Sequence, residues 1–262
     1  MTAEDKRRLL VALDSRAPDA GALRLLARLG GAGALELTCL YVEDEDLTRA
    51  AALPGLPEIS LSGQVQTLDP QRIAREVAAD AESARLAFDR LAAELAREHR
   101  ALEHRFMVAR GRLAEEFHRA AAASDLVMVT RALRASGLRP RLGRSFLGLV
   151  REPKPVLFVN EPWASGSSVV VLGDGPDTLS TAARLAEAEG LPLVAVGTAG
   201  TATPPGVRLH VLAGVTEKAI ADACLAEDAR LLVVPARADV DWPELLVSLL
   251  DRLPCSVLKL PA

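Results

Sequence analysis

The stretch that decides the fold is Leu9-Leu10-Val11-Ala12-Leu13-Asp14-Ser15-Arg16, an apolar run that ends in an aspartate and a turn. A short continuous apolar run of this kind predicts a strand buried on both faces of a parallel sheet. The same pattern recurs at Val169-Val170-Val171-Leu172-Gly173-Asp174-Gly175-Pro176. An Ala/Leu-rich helix and a further apolar strand are predicted after each copy. The chain therefore contains one strand–helix unit twice, and a site is to be sought at equivalent points of both copies.

The two copies differ in the connection between their second and third strands. In the first half, Asp69-Pro70 and a periodic apolar series predict a long amphipathic helix to about Glu98. Residues 48–68, before this helix, contain Pro, Gly and Ser, and their apolar residues show no clear periodicity, so we predict a mobile loop there. The second half has only a short connection at this point, which predicts that a crossover helix is missing. Each half closes on a short apolar strand after a proline, at 156–159 and 255–260.

Alternating strands and helices predict an α/β fold with two parallel sheets and right-handed crossovers. The natural linker is the segment 162–167, which is rich in Pro, Ser and Gly. We therefore predict a full domain over residues 1–161 and a truncated domain over residues 168–262. In such sheets ligands bind outside the carboxyl ends of the strands, where the strand order reverses. The residues just after the first and fourth strands of each half are thus the candidates for a site.

Composition limits the classes of partner. The 262 residues suffice for two small domains, half of them are apolar, and the formal net charge is −4. An acidic balance with only 3% aromatic residues argues against nucleic acid and anionic membrane as partners. Residues 1–8 are charged and no apolar run approaches the length of a membrane span, so we expect a cytoplasmic protein. Cys39, Cys224 and Cys255 stand singly in apolar stretches, which predicts buried, reduced thiols.

The chain resembles the universal stress protein family in its tandem, two-domain form. The resemblance rests on the order and spacing of four sequence segments, which are Leu10-Val11-Ala12-Leu13-Asp14, Leu40-Tyr41-Val42-Glu43, Ser124-Asp125-Leu126-Val127-Met128-Val129 and Pro155-Val156-Leu157-Phe158-Val159. It implies two three-layer domains of the adenine nucleotide α-hydrolase-like type, each with a parallel five-stranded sheet, the second truncated. It also implies that the two domains pack as a pseudo-dimer through their closing strands. A homodimer of the whole chain stays open.

The resemblance further implies a site for ATP or another adenine nucleotide in the first half. Family members that bind ATP place the aspartate after strand one near the ribose and base, and backbone after strand two against the adenine. A loop of the form G-x2-G-x9-G-S/T after strand four wraps the phosphates, because backbone amides must approach the anion closely there. The corresponding residues of this sequence give the candidate site, which consists of Ala12, Asp14, Val42, Thr130, Arg131, Gly143, Arg144 and Ser145.

The phosphate loop of this sequence departs from the family pattern. Thr130 and Leu133 occupy the first two glycine positions, Gly143 holds the third, and the hydroxyl of Ser145 comes one place late, after Arg144. Five arginines without an acidic residue stand in the loop, namely Arg131, Arg134, Arg139, Arg141 and Arg144. Guanidinium groups bind phosphate bidentately and would replace the lost backbone amides. The other interpretation, a solvated basic loop, stays open.

The strand-end aspartates have two interpretations as well. Asp14 either contacts a ligand or caps the helix that follows, and for Asp174 we expect the capping role. The stretch 235–242, after the fourth strand of the second half, contains no glycine and has two aspartates against one arginine. We therefore expect no nucleotide site in the second half.

These observations predict a non-enzymatic stress-response or regulatory protein of the tandem universal stress protein type. One alternative is a scaffold of the same fold that binds no nucleotide and acts through protein contacts. A second is an adenylating enzyme of the same superfold, which requires a Ser-Gly-Gly-x-Asp-Ser loop after strand one. Residues 14–18 contain no glycine pair, and the sequence shows no metal-ligand spacing and no nucleophile elbow.

Overall fold

The computed structural model describes residues 6–13, 19–31, 33–53, 55, 57–59, 63–67, 69–130, 148, 151, 153–160, 163, 166–173, 175–235 and 242–261. The strands of this part are β1 (Arg7–Leu13), β2 (Leu35–Asp44), β3 (Pro57–Ile59), β4 (Val65–Thr67), β5 (Leu102–Gly111), β6 (Leu126–Thr130), β7 (Val156–Val159), β8 (Ser168–Leu172), β9 (Leu193–Gly197), β10 (Arg208–Val211), β11 (Ala229–Val234) and β12 (Ser256–Lys259). Its helices of seven residues or more are α1 (Ala20–Gly30), α2 (Glu45–Ala51), α3 (Pro70–Glu98), α4 (Leu113–Ala122), α5 (Pro176–Glu189), α6 (Glu217–Ala226) and α7 (Trp242–Arg252).

The main sheet has ten strands in the order β10-β9-β8-β11-β12-β7-β6-β1-β2-β5. Each half contributes five parallel strands, and numbering them from the start of each half gives the spatial order 3-2-1-4-5 in both. The predicted repetition of strand order is therefore confirmed. The prediction of two sheets is refined, because β7 and β12 pair antiparallel and join the halves into one sheet.

Helices cover both faces of this sheet, as the predicted three-layer arrangement requires. Buried residues of α1, α3 and α5 pack on one face, and those of α4, α6 and α7 pack on the other. Every residue of β6, β7, β8 and β12 is buried, which is the burial pattern expected of parallel strands covered on both faces. Two apolar layers therefore hold the molecule together, one on each side of the sheet.

The long helix of the first half begins and ends where the sequence predicts. Asp69 is the N-cap of α3, and its side chain accepts a hydrogen bond from the backbone N–H of Gln71 at 2.9 Å. Pro70 takes the first helical position, where a missing N–H costs nothing. The helix ends at Glu98, and Phe88 near its middle is fully buried against the sheet. The prediction for residues 70–98 is confirmed.

The prediction of a loop over residues 48–68 is wrong for much of that segment. Helix α2 already begins at Glu45, with two acidic residues in its first turn and an ion pair of 2.6 Å from Glu45 to Arg49. Acidic groups at this end of a helix interact favourably with its dipole, and the i,i+4 pair adds a few tenths of a kcal/mol. Strands β3 and β4 then form an antiparallel hairpin. The Gly and Pro residues suggested a loop, but Pro57 is the first residue of β3, and Gly55 and Gly63 lie between the short regular elements with φ of +72° and +79°.

The crossover helix is missing from the second half, as predicted. Residues 198–207, which connect β9 to β10, are all described and contain no helix. A turn closes this connection, with the N–H of Val207 bonded to the carbonyl of Pro204 and Gly206 at a φ of +85°. The shortened half still places β10 parallel to β9 at the outer edge of the sheet. The loss therefore falls at the far edge, away from the strands that join the halves.

Buried polar contacts reinforce the pairing of β7 with β12. The backbone N–H of Asn160 donates to Ser256 Oγ at 2.9 Å, and its side-chain amide donates to the carbonyl of Pro254. Lys259, fully buried on β12, donates from Nζ to the carbonyl of Lys154 at 2.9 Å. Buried polar groups are costly unless they are hydrogen-bonded, so these contacts specify one register for the junction.

Trp163, in the predicted linker, ties helices of the two halves together. It is buried, its backbone N–H donates to Asp19 Oδ2 at 3.3 Å, and its indole N–H lies 3.5 Å from Glu189 Oε2. Asp19 is the N-cap of α1 and Glu189 is the last residue of α5. Glu189 also pairs with Arg28 at 2.8 Å and with Arg230 at 3.5 Å. The carboxylate of Glu189, in the second half, thus contacts Arg28 of the first half and the indole of Trp163 in the linker.

This packing predicts that the cost of one substitution depends on whether Trp163 is present. A Cβ at Gly21 would lie 2.4 Å from Cδ1 of Trp163, so Gly21→Ala should lower the free energy of unfolding by about 1–3 kcal/mol through overpacking. Trp163→Ala alone should cost about 3–5 kcal/mol. In the Trp163→Ala background the Gly21→Ala change should cost nothing, because the clashing ring is gone. Urea unfolding of the four proteins in this cycle tests the idea, and equal costs in both backgrounds would contradict it.

Candidate functional site

The strand order of the first half reverses between β1 and β6. From β1 the chain continues to β2 and β5 on one side, whereas β6 and β7 lie on the other side. All five strands are parallel, so their carboxyl ends lie side by side at one end of the sheet. A crevice at this reversal is where ligands bind in open α/β sheets.

Three of the predicted site residues are described, and they come together at this end of the sheet. Ala12 on β1 is level with Leu40 on β2 and with Val129 on β6. Thr130 is therefore one residue beyond the level of Ala12, and Val42 is two residues beyond it. Ala12 and Thr130 are buried, whereas Val42 is partly exposed. The backbone of three adjacent strands thus forms the base of the candidate site.

The other predicted site residues lie outside the described residues. They are Asp14, Arg131, Gly143, Arg144 and Ser145, and the same holds for Asp174 in the second half. The chain is described again at Gly148, which lies against the ring of His118 on α4. Gly148 therefore lies on the face of the sheet that α4 covers.

The capping roles considered for the strand-end aspartates fall to other residues. The N-cap of α1 is Asp19, whose Oδ1 accepts hydrogen bonds from the N–H of Gly21 at 2.7 Å and of Ala22 at 3.2 Å. The N-cap of α5 is Gly175. Gly175 thus holds the cap position next to Asp174, which itself lies outside the described residues, and the cap that α1 uses comes five positions after Asp14.

A second strand-end cavity lies in the other half of the molecule. It has a volume of about 280 Å³ and lies at the carboxyl ends of β8 and β9, where it is lined by Leu172, Gly173, Gly197, Thr198, Gly200, Thr201 and Val215. Leu172 is level with Val196, as Ala12 is level with Leu40, so Thr198 corresponds in position to Val42. The sequence analysis missed this cavity, although the glycines after β9 mark it. Its volume falls just below the range of about 300–1,000 Å³ that small-molecule pockets occupy.

The described residues offer no metal site and no reactive thiol. Among them, no group of three or more His, Cys, Asp or Glu side chains is placed to hold a metal ion. Cys39, Cys224 and Cys255 are buried and free, as predicted. Burial raises the pKa of Cys39, and a hydrogen bond with Cys255 together with burial raises the pKa of Cys224. Because the thiolate is the nucleophile, a raised pKa makes Cys39 and Cys224 unreactive, and Cys255 is shielded from reagents by its burial.

Comparison with known proteins identifies the fold. A universal stress protein from Archaeoglobus fulgidus DSM 4304 superposes with a TM-score of 0.55 at 15% sequence identity, covering 97% of this chain and 96% of that one. The chain has the universal stress protein fold. A functionally unknown protein from Pseudomonas aeruginosa PAO1 also shares this fold, with a TM-score of 0.54 and 16% identity over 97% of this chain and 92% of that one.

Comparison of the sequence itself gives no match. No protein-family model matches the chain, and no curated protein matches it either. The universal stress protein fold is thus recognised through strand order and packing. The described helices include none with both the length and the apolar character that crossing a bilayer requires.

The burial of the three thiols predicts their behaviour toward a disulfide reagent. At pH 8 the folded protein should show no rapidly reacting thiol with 5,5′-dithiobis(2-nitrobenzoate), since all three thiols are buried and the raised pKa of Cys39 and of Cys224 suppresses their thiolate forms. The same protein in guanidinium chloride should release the colour of all three thiols. Rapid labelling of any thiol in the folded protein would contradict this expectation.

Proposed function

We propose that this chain is a non-enzymatic regulatory protein of the tandem universal stress protein type, acting in the stress response. The observation that carries the proposal is the strand order 3-2-1-4-5, which occurs twice within one sheet. The fold likeness to a universal stress protein over nearly the whole chain supports it. The absence of a nucleophile elbow and of metal-ligand spacing from the sequence supports a role without catalysis.

The proposal includes the arrangement of the two halves. A full domain over residues 1–161 and a truncated domain over 168–262, with 162–167 as linker, would act as an intramolecular pseudo-dimer. The antiparallel pairing of β7 with β12 and the contacts of Trp163 support this view. The formal net charge of −4 supports small molecules or proteins as partners rather than nucleic acid or membrane. The three free, buried cysteines support a place in the cytoplasm. A homodimer of the whole chain would use other surfaces.

The proposed ligand is one adenine nucleotide, held at the strand ends of the first half. Ala12, Val42 and Thr130 form the base of this site on three adjacent strands. Asp14 would contact the ribose and base, and the loop containing Arg131, Gly143, Arg144 and Ser145 would hold the phosphates. Guanidinium groups would supply there the hydrogen bonds that backbone amides supply in glycine-rich loops.

A specific observation favours a second candidate function, a scaffold that binds no nucleotide. Thr130 stands where the family motif has its first glycine, and the structure keeps it in regular strand geometry, opposite Val159 on β7. Its side chain is buried. A β-branched residue that extends the strand does not offer the close backbone approach that glycine permits. The chain would then act through protein contacts alone.

A matched pair of aspartate variants distinguishes these functions. ATP added to the purified protein should bind with one equivalent per chain in isothermal titration calorimetry. Asp14→Asn should weaken this binding about tenfold or more, the loss expected for a hydrogen bond to a charged group, whereas Asp174→Asn should leave it unchanged. Arg144→Glu should abolish binding, because it places a like charge against the phosphates.

The other outcomes are equally informative. No heat of binding at millimolar ATP would overturn the nucleotide site and leave the scaffold function. Binding that Asp174→Asn weakens and Asp14→Asn does not would move the site to the second half, at the cavity beside Gly173 and Thr198. Circular dichroism of each variant would establish that the fold is intact.

A further inference from the structure

The structure contains an open groove on the face of the sheet that α4 covers. This α4 groove has a volume of about 420 Å³, within the range of small-molecule pockets. It lies between the sheet and the C-terminal part of α4, and its lining residues are Arg8, Leu10, Glu36, Thr38, Leu40, Arg105, Met107, Ala109, Glu116, Arg119, Ala120, Ala123 and Ser124. Arg8, Glu36 and Arg105 come from the amino-terminal halves of β1, β2 and β5.

The groove follows from a mismatch in length between a helix and the strands it covers. Helix α4 has ten residues and is about 15 Å long, whereas β2 and β5 have ten residues each and are about 33 Å long. The helix packs over β1, β2 and β5 but covers only part of their length. On the opposite face the 29 residues of α3, about 44 Å, exceed the length of the strands. The opening is thus a fixed feature of one face.

Apolar side chains form much of the groove wall. Leu10 and Leu40 are almost fully buried beneath it, and Ala120 lies on the α4 side. Met107, on the edge strand β5, is 38% exposed and supplies apolar surface that a ligand can cover. An apolar ligand body in the groove would remove this exposed surface from water, which is favourable by about 25 cal/mol per Å².

The hydrogen-bond acceptors around the groove already have partners. The carboxylate of Glu36 lies 3.3 Å from Arg105 and 3.9 Å from Lys6, and that of Glu116 lies 2.5 Å from Arg119. The carbonyls at the end of α4 are also used. Lys154 Nζ donates to those of Ala121, Ala122 and Ser124, and Arg8 donates to that of Ala123 at 3.4 Å. A cationic ligand would therefore find its possible partners occupied.

Donors, in contrast, remain available. Within the described part of the chain no carboxylate oxygen lies within ion-pair distance of the Arg8 guanidinium, although Arg105 and Arg119 each have one. A guanidinium carries five N–H donors, and a single contact at 3.4 Å uses one of them. The Thr38 hydroxyl accepts a hydrogen bond from Arg105 at 2.9 Å, so its own proton is free to donate. The groove thus offers an apolar wall beside unused guanidinium and hydroxyl donors, although the Asp125 carboxylate also lies close to Arg8, where it accepts a hydrogen bond from the Arg8 backbone N–H at 2.7 Å.

We propose that the α4 groove binds an amphiphilic organic anion, a molecule with an apolar body and one carboxylate. The carboxylate accepts hydrogen bonds from Arg8 and Thr38, and the apolar body covers Met107 and Ala120. This site goes beyond the proposed nucleotide function, since Ala12, Val42 and Thr130 do not line the groove. Its occupant is recognised by charge and apolar surface together, so a neutral or cationic molecule with the same body binds more weakly.

The experiment measures displacement of the fluorophore 8-anilinonaphthalene-1-sulfonate from the intact chain. Octanoate is the competing probe, and 1-octanol and octyltrimethylammonium are its neutral and cationic matches. Octanoate should compete best. Arg8→Gln should weaken octanoate about tenfold, the loss of a hydrogen bond to a charged group. Met107→Glu should weaken it as well, because a carboxylate then stands on the apolar wall.

The matched control is Arg110→Gln on β5, the edge strand that also carries Met107. Arg110 is 84% exposed, pairs with Glu43 and does not line the groove, so this change should leave octanoate binding unaltered. Octanol competing as well as octanoate, or Arg8→Gln and Arg110→Gln acting alike, would overturn the proposal. So would the absence of any competition by millimolar octanoate in the folded parent. ATP titrations are read separately, so failure of this site and failure of the nucleotide site are distinguishable.

Discussion

The structure depends on the antiparallel pairing of the two closing strands, β7 and β12. Each half alone would end its sheet in a strand whose residues are all apolar or buried and whose backbone groups lack partners on one side. Such an edge is a site of aggregation unless it is covered. Pairing the two edges satisfies their backbone groups at once and places both apolar layers in register across the junction. Neither half can lose its partner without exposing this edge.

That constraint explains where the second half has been able to shrink. Four strands separate β10 from the junction at β7, and the missing crossover helix lies at this outer edge. The contacts that join the halves involve Asn160, Trp163 and the ends of α1 and α5, all of which the truncation leaves intact. A sheet of parallel strands thus tolerates loss at its edge far better than change at its centre.

The sequence predicts what local chemistry determines and misses what depends on distant partners. Asp69-Pro70 is a helix start by itself, so α3 is predicted almost to the residue. The run Val156–Val159 indicates a buried strand, but nothing in it says that its neighbour on one side is antiparallel. The α4 groove could not be predicted from the sequence either, because it depends on how much of β1, β2 and β5 the short helix α4 covers. At the candidate site, the alternation of strands and helices predicts parallel strands, and therefore places Ala12, Val42 and Thr130 at the same end of the sheet. The ligand does not follow from the sequence, because the loop after β6 departs from the family motif.

Thr130 connects the fold to the chemistry of the proposed nucleotide site. As the last residue of β6 it is still paired with β7, so the sheet continues one residue into the position where a phosphate loop would begin with glycine. A threonine suits an extended strand and resists the tight turn that glycine allows. If the proposed nucleotide binds, its phosphates would be contacted by long side chains rather than by backbone amides at this position. Arginine has that reach and a planar fork that matches phosphate, which gives a physical reason for arginines at 131 and 144 beside a threonine and a leucine at the first two glycine positions of the motif.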